Sequence, residues 1–155
     1  MRNVCAILAL AALTVAPASA ADNGACRARA VDYHGWSALE QSNDLITVVT
    51  VPDIGGRTLQ MRLGDYGFFW ENRDEWGRLY PVEEHRKRWV NYGGFKNWLM
   101  PEAKFERAAA PTIDAGRYQA SIISAGPGEA VIGLVSPEDR HHGVRVKRRL
   151  TMYPD

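Results

Sequence analysis

The sequence predicts an all-β protein built as an antiparallel β-sandwich, and three observations predict it. Residues 45–51 are dense in β-branched side chains and stop at Pro52. Residues 57–63 alternate polar and apolar, the period-two pattern of a half-buried strand. Between residue 117 and the C-terminus, further strand-like segments recur at short spacing, separated by Gly- and Pro-containing turns.

Taken in order, residues 21–34 read as an irregular lead-in, and residues 35–155 as a partial sandwich domain. Asp53-Ile54-Gly55-Gly56 is a turn, because paired glycines reach positive φ without steric cost, so residues 45–51 and 57–63 form a hairpin. Phe68-Phe69-Trp70 is expected to be a short apolar strand. Residues 71–97 mix Trp, Tyr, Arg, Glu and Gly with no clean period. They read as a long structured loop, a class of segment that often carries function. Residues 101–109 are expected to hold a helical turn. Strands follow over residues 117–124 and 129–136, with the turn Ala125-Gly126-Pro127-Gly128 between them. After a polar loop over 137–143, a last strand carries the alternation Val144, Val146, Arg148, Leu150, Met152. The chain stops at Pro154-Asp155, directly after that strand. An unpaired edge is expected there, so the chain reads as the first part of a longer domain or as one that associates with itself or another chain through an exposed strand edge.

The N-terminus reads as a secretory signal peptide over residues 1–20. Arg2 is the positive n-region, an apolar run extends from Val4 to Ala16, and Ala18-Ser19-Ala20 is a small-x-small cleavage pattern. The run is too short to span a bilayer, which takes roughly 20 apolar residues. The expected location is therefore periplasmic or secreted, with no membrane attachment after cleavage. Arg2 is the only charged residue in the signal, so removing it takes the formal net charge from +1 to zero. That balance argues against a nucleic-acid partner, and Arg86-Lys87-Arg88 and Lys147-Arg148-Arg149 read as solvated faces. Cys5 leaves with the signal. Cys26 is then the lone cysteine, an odd count that points to an external or missing partner in an oxidising compartment.

Four residues form the working site. Arg57 follows two glycines at a strand edge, where a planar guanidinium can fork onto sugar hydroxyls or a carboxylate; the alternative is an ion pair with Asp53 or another neighbouring carboxylate. Lys96 and Trp98 lie two apart and share a face if that piece is extended. The indole would stack on a pyranose while the lysine donates to hydroxyls. The alternative places Trp98 in the core and Lys96 in solvent. Gly93-Gly94 permits close approach of a ligand or of another strand. Glu102 is the candidate catalytic residue, with Glu71 and Asp53 as the other nearby carboxylates. A glycosidase needs two carboxylates at a defined separation, which a sequence does not supply. His34, His85, His141 and His142 show no zinc-helix spacing, and neither a metal site nor a cofactor is expected.

Several pieces, in order, resemble an uncharacterised bacterial family: Gly35-Trp36, Pro52-Asp53-Ile54-Gly55-Gly56-Arg57, Phe69-Trp70-Glu71-Asn72, Asn91-Tyr92-Gly93-Gly94-Phe95-Lys96-Asn97-Trp98 with Pro101-Glu102, and Gly143-Val144-Arg145-Val146-Lys147-Arg148. That family is catalogued as a domain of unknown function with a galactose-mutarotase-like β-supersandwich, and the resemblance covers its N-terminal half. It implies a fold shared with aldose epimerases and with carbohydrate-handling domains of glycosidases and lyases. The epimerase base comes from late in that fold and has no counterpart here, so epimerase or glycosidase-like chemistry is expected only of a full-length domain. The leading expectation is an exported protein that binds or processes a carbohydrate. The rival is a non-enzymatic envelope module, structural or protein-binding, or an inactive fragment. A core burial of Trp70 and Trp98, with no open cleft at Arg57, would favour the rival.

Overall fold

The computed structural model describes residues 25–100 and 110–155. Two antiparallel sheets make up the fold. The first runs in the order β1 (Arg27–Tyr33), β2 (Trp36–Ser42), β3 (Ile46–Val51), β4 (Arg57–Leu63) and β5 (Tyr66–Gly67). The second is β6 (Gln119–Gly126), β7 (Glu129–Val135) and β8 (Lys147–Met152). Among the described residues two short helices, α1 (Val82–Lys87) and α2 (Pro111–Asp114), lie outside the sheets. The protein is thus an all-β antiparallel sandwich. Among the described residues no helix is long and apolar enough to cross a membrane.

The sheets meet through one face of β1–β3. Ala28, Leu39, Ile46 and Val48 pack against Ala130, Ile132, Leu134, Leu150 and Met152. Fully burying an aliphatic side chain such as Ile132 or Leu134 stabilises by about 1.5–3 kcal/mol. Gln41 is buried at this interface and donates to the carbonyls of Ala130 (2.8 Å) and Leu150 (3.2 Å). Cys26 is buried here as well, with Sγ 3.4 Å from the Met152 carbonyl. Its thiol therefore packs as a small apolar group, and the surface needed for the expected external partner is not there.

The other face of the five-stranded sheet holds a second core. Trp36, Val49, Val51, Ile54, Leu59, Val90 and Tyr92 are buried in it, with Trp76 and Tyr80 packed alongside. The irregular segment after β5 therefore acts as a third layer. It contains a 3-10 turn over Arg73–Glu75 and the helix α1, and otherwise has little regular structure.

Three expectations need correction. The supposed lead-in is mostly strand β1, paired along its whole length with β2. It escapes a propensity reading because small alanines occupy its inner face and cross-strand charge, such as Arg29 against Glu40 at 2.6 Å, occupies the other. Its register is set by the two-residue turn His34-Gly35, both at positive φ (53° and 88°), the hairpin geometry that matches strand twist. The strand expected at Phe68-Phe69-Trp70 lies instead at Tyr66–Gly67. The last strand begins at Lys147, because residues 137–146 loop back through the Asp139–Val144 bridge. The helical turn expected over 101–109 lies outside the described residues, as does the signal peptide.

Candidate functional site

Strand β4 positions both groups of residues that carry chemistry. A register shift between Val49 and Thr50 leaves Leu59 as an extra residue, so Thr58 opposes Thr50 while Gln60 opposes Val49. This bulge puts Arg57, Gln60 and Arg62 on the outer face, under the irregular layer, although simple alternation would split them.

At the start of β4, Arg57 is only 2% exposed. Its Nη1 donates to the Gly93 carbonyl (2.9 Å) and its Nη2 to Asp114 Oδ1 (2.9 Å), while Nε has no partner among the described residues. Burial pushes the guanidinium pKa down, and the Asp114 charge pushes the other way. Lys96 shares the same carboxylate, with Nζ 3.0 Å from Asp114 Oδ1. That ammonium lies 4.2 Å from the ring centres of both Trp89 and Trp98, a double cation–π contact. Burial also lowers the Lys96 pKa. The tight glycine turn makes this assembly possible. A Cβ on Gly55 would sit 1.9 Å from the Asp114 carbonyl oxygen.

The sequence-selected trio Arg57, Lys96 and Trp98 is thus brought together, but around an internal anion. The pairing alternative for Arg57 is what the structure contains, with Asp114 in place of Asp53. Asp53 pairs with Arg117 instead, at 2.9 Å. Gly93-Gly94 approaches other backbone: Gly93 bridges Glu71, and Gly94 N donates to the Trp70 carbonyl at 2.9 Å. Glu102 lies outside the described residues. Asp114 and Trp89 were not singled out by the sequence, since a carboxylate on a four-residue helix and an indole in an aperiodic loop carry no local signal.

At the other end of β4 lies an open groove of about 720 Å³. Its lining includes His34 from the β1–β2 turn, Gln60 and Arg62 from β4, and Trp70, Glu71 and Trp76 from the irregular layer. Glu71 Oε1 accepts from Gln60 Nε2 (2.6 Å) and from Tyr33 Oη (2.9 Å), and Arg62 donates to that same phenol at 2.8 Å. Burial first, then the bond and charge of Glu71, push the Tyr33 pKa up, so the phenol keeps its proton and donates. Gln60 exchanges two bonds of 3.0 Å with the backbone of Phe69, which fixes the loop onto the strand.

Two buried polar atoms of its lining residues lack partners among the described residues: the acceptor Glu71 Oε2 and the donor Trp76 Nε1. The Trp76 ring is engaged by the stacked His34 ring at 3.6 Å and by Arg73 at 5.6 Å. Trp70 is the aromatic surface left open, at 62% exposure. Glu71 and Trp70 are the readable part of this site, as a Trp-Glu pair at the mouth of the aperiodic segment. Tyr33 and Gln60 were missed because strand residues far apart in sequence reveal their meeting only through register. The feature chosen to favour the non-enzymatic rival comes out divided: among the described residues Trp98 is half-buried and Arg57 is buried, yet Trp70 is exposed.

No protein-family model, curated protein or solved structure matches the chain.

Proposed function

We propose that this is an exported protein of the cell envelope, periplasmic or secreted, that binds a carbohydrate in the groove over Glu71. The observation that carries the reading is one groove lined by Glu71 and Trp76, each of which keeps a buried polar atom without a partner among the described residues, an acceptor on Glu71 and a donor on Trp76. An unpartnered buried polar group costs about 1–3 kcal/mol. A hydroxyl is both donor and acceptor, so a polyol is the ligand class whose chemistry matches both. The exposed indole of Trp70 adds a flat apolar surface for a pyranose face, and Arg62, Arg73, Asn72 and Asp74 supply further polar lining. The resemblance to the mutarotase-like supersandwich supports the same class, because that fold serves many carbohydrate-handling domains.

A screen of immobilised oligosaccharides with the full-length exported protein, followed by calorimetric titration of any hit, tests this reading. Binding that falls about tenfold in Glu71→Gln, roughly 1.4 kcal/mol, supports it. A folded protein that retains no sugar, or a hit indifferent to Glu71, removes the groove as its site. N-terminal sequencing of the exported product checks the compartment, with Ala21 as the expected first residue.

A further inference from the structure

The two sheets do not cover each other. Ile46 and Val48 point at the three-stranded sheet, and their cross-strand partners on β4 are Leu63 and Met61, which therefore share that inner face. Tyr66 opposes Leu63, and Phe68 N bonds the Met61 carbonyl at 2.9 Å, so both rings belong to the same face. Beyond β8, however, no strand of the described residues lies over them. Leu63 is 45% exposed, Tyr66 67% and Phe68 48%. A groove of about 580 Å³, lined by Ile46, Val48, Phe95, Leu150 and Met152, runs between β8 and this uncovered flank. Exposed apolar surface of this extent marks an interaction site.

Among the described residues the edge beside it is also open. β8 is the terminal strand of its sheet. Ser136 N bonds the Val146 carbonyl at 2.9 Å, which sets the antiparallel alternation. Arg148, Leu150 and Met152 therefore turn their backbone groups to β7, while Lys147, Arg149 and Thr151 turn theirs outward. The outward-pointing residues include two exposed cations, Lys147 and Arg149.

Against a second copy at this edge stands charge: antiparallel pairing of β8 with itself would bring the exposed cations Lys147 and Arg149 of each copy beside those of the other.

We propose that β8 and the uncovered β4–β5 flank take up one extended strand of another polypeptide, whose side chains alternate acidic and apolar. The guest adds to the sheet through the free backbone groups of Lys147, Arg149 and Thr151. Its carboxylates lie on the outer face against Lys147 and Arg149, and its apolar side chains enter the groove over Ile46 and Val48, beside the exposed Leu63. This reading is independent of the sugar site.

The test uses the full-length exported protein and a fluorescent eight-residue peptide alternating Glu and Val, read by anisotropy. Saturable binding is expected. It should weaken about tenfold in Thr151→Pro, which removes an outward N–H while leaving the β7 ladder intact, and in Leu63→Asp at an exposed position. Replacing Glu by Lys in the peptide should abolish it, and Lys147→Glu with Arg149→Glu should restore the Lys peptide. Circular dichroism melting confirms that each variant is folded. Failure of the Glu peptide to bind the folded protein overturns the proposal. So does equal binding by a peptide with alternate amides N-methylated, or a dimer of the free protein that Thr151→Pro dissolves.

Discussion

Two arginines on one face of β4 meet opposite fates. Arg57 is sealed under the loop that carries Gly93 and held by Asp114, whereas Arg62 stands beside an open groove and donates to the Tyr33 phenol. The guanidinium chemistry is the same at both ends. What differs is whether the irregular layer closes over it. At Arg57 the chain supplies its own anion and its own indoles, so the two cations are held from within. At Arg62 the network ends on a carboxylate with one oxygen unmatched. Charge plus tryptophan therefore marks two different things, a built-in brace and a receptive surface, and the cover of the irregular layer tells them apart.

The largest expected effect breaks the brace. Asp114→Ala leaves Arg57 buried without its counter-charge, a change that costs about 3–5 kcal/mol. Urea denaturation should show the midpoint falling accordingly, and oligosaccharide binding by the fraction still folded should be unchanged. A loss below about 1 kcal/mol would mean that the cluster is solvated and that Arg57 is available after all.

This division was only partly legible in the sequence. The hairpin 45–51/57–63, the paired-glycine turn and the C-terminal strands were readable, because each rests on local propensity or period. The face assignment of β4 was not. Alternation groups Leu59 with Met61 and Leu63, but the bulge sends Leu59 to the outer core and leaves the other two on the inner face. The same displacement brings Arg57 under the irregular layer. Bulges answer to the partner strand, and no single-strand pattern encodes them. The trio Arg57, Lys96 and Trp98 was selected for chemistry that is present, but the Asp114 that pairs with both cations lies eighteen residues beyond Lys96.

A smaller effect sharpens the comparison through binding. Trp70→Ala removes an exposed ring, so stability should stay within about 0.5 kcal/mol. Sugar affinity should fall about tenfold. Lys96→Met should do the reverse, lowering the urea midpoint slightly while leaving the affinity alone. Parallel calorimetry and denaturation of the two variants separate the sites. Equal loss of affinity in both would merge them into one.

The smallest effects come from two tyrosines, one from each region, whose pKa values are both pushed up, chiefly by burial. Tyr33 Oη bonds Glu71 and Arg62, whereas Tyr92 Oη has no partner among the described residues. At neutral pH, Tyr33→Phe should therefore cost about 0.5–1.5 kcal/mol, and Tyr92→Phe should be neutral or stabilising because it deletes an unmatched hydroxyl. Alkaline behaviour follows from the same shifts. Unfolded tyrosines ionise near pH 10 while the folded ones hold their protons, so unfolding releases protons. The stability these groups contribute is complete below about pH 10 and is lost as the pH rises above it. Urea midpoints across this range should decline steeply in the parent and less steeply in either variant. An alkaline limb unchanged by Tyr33→Phe would show that the groove end of β4 is wetter than the bonded phenol implies, and would weaken the contrast with the sealed end.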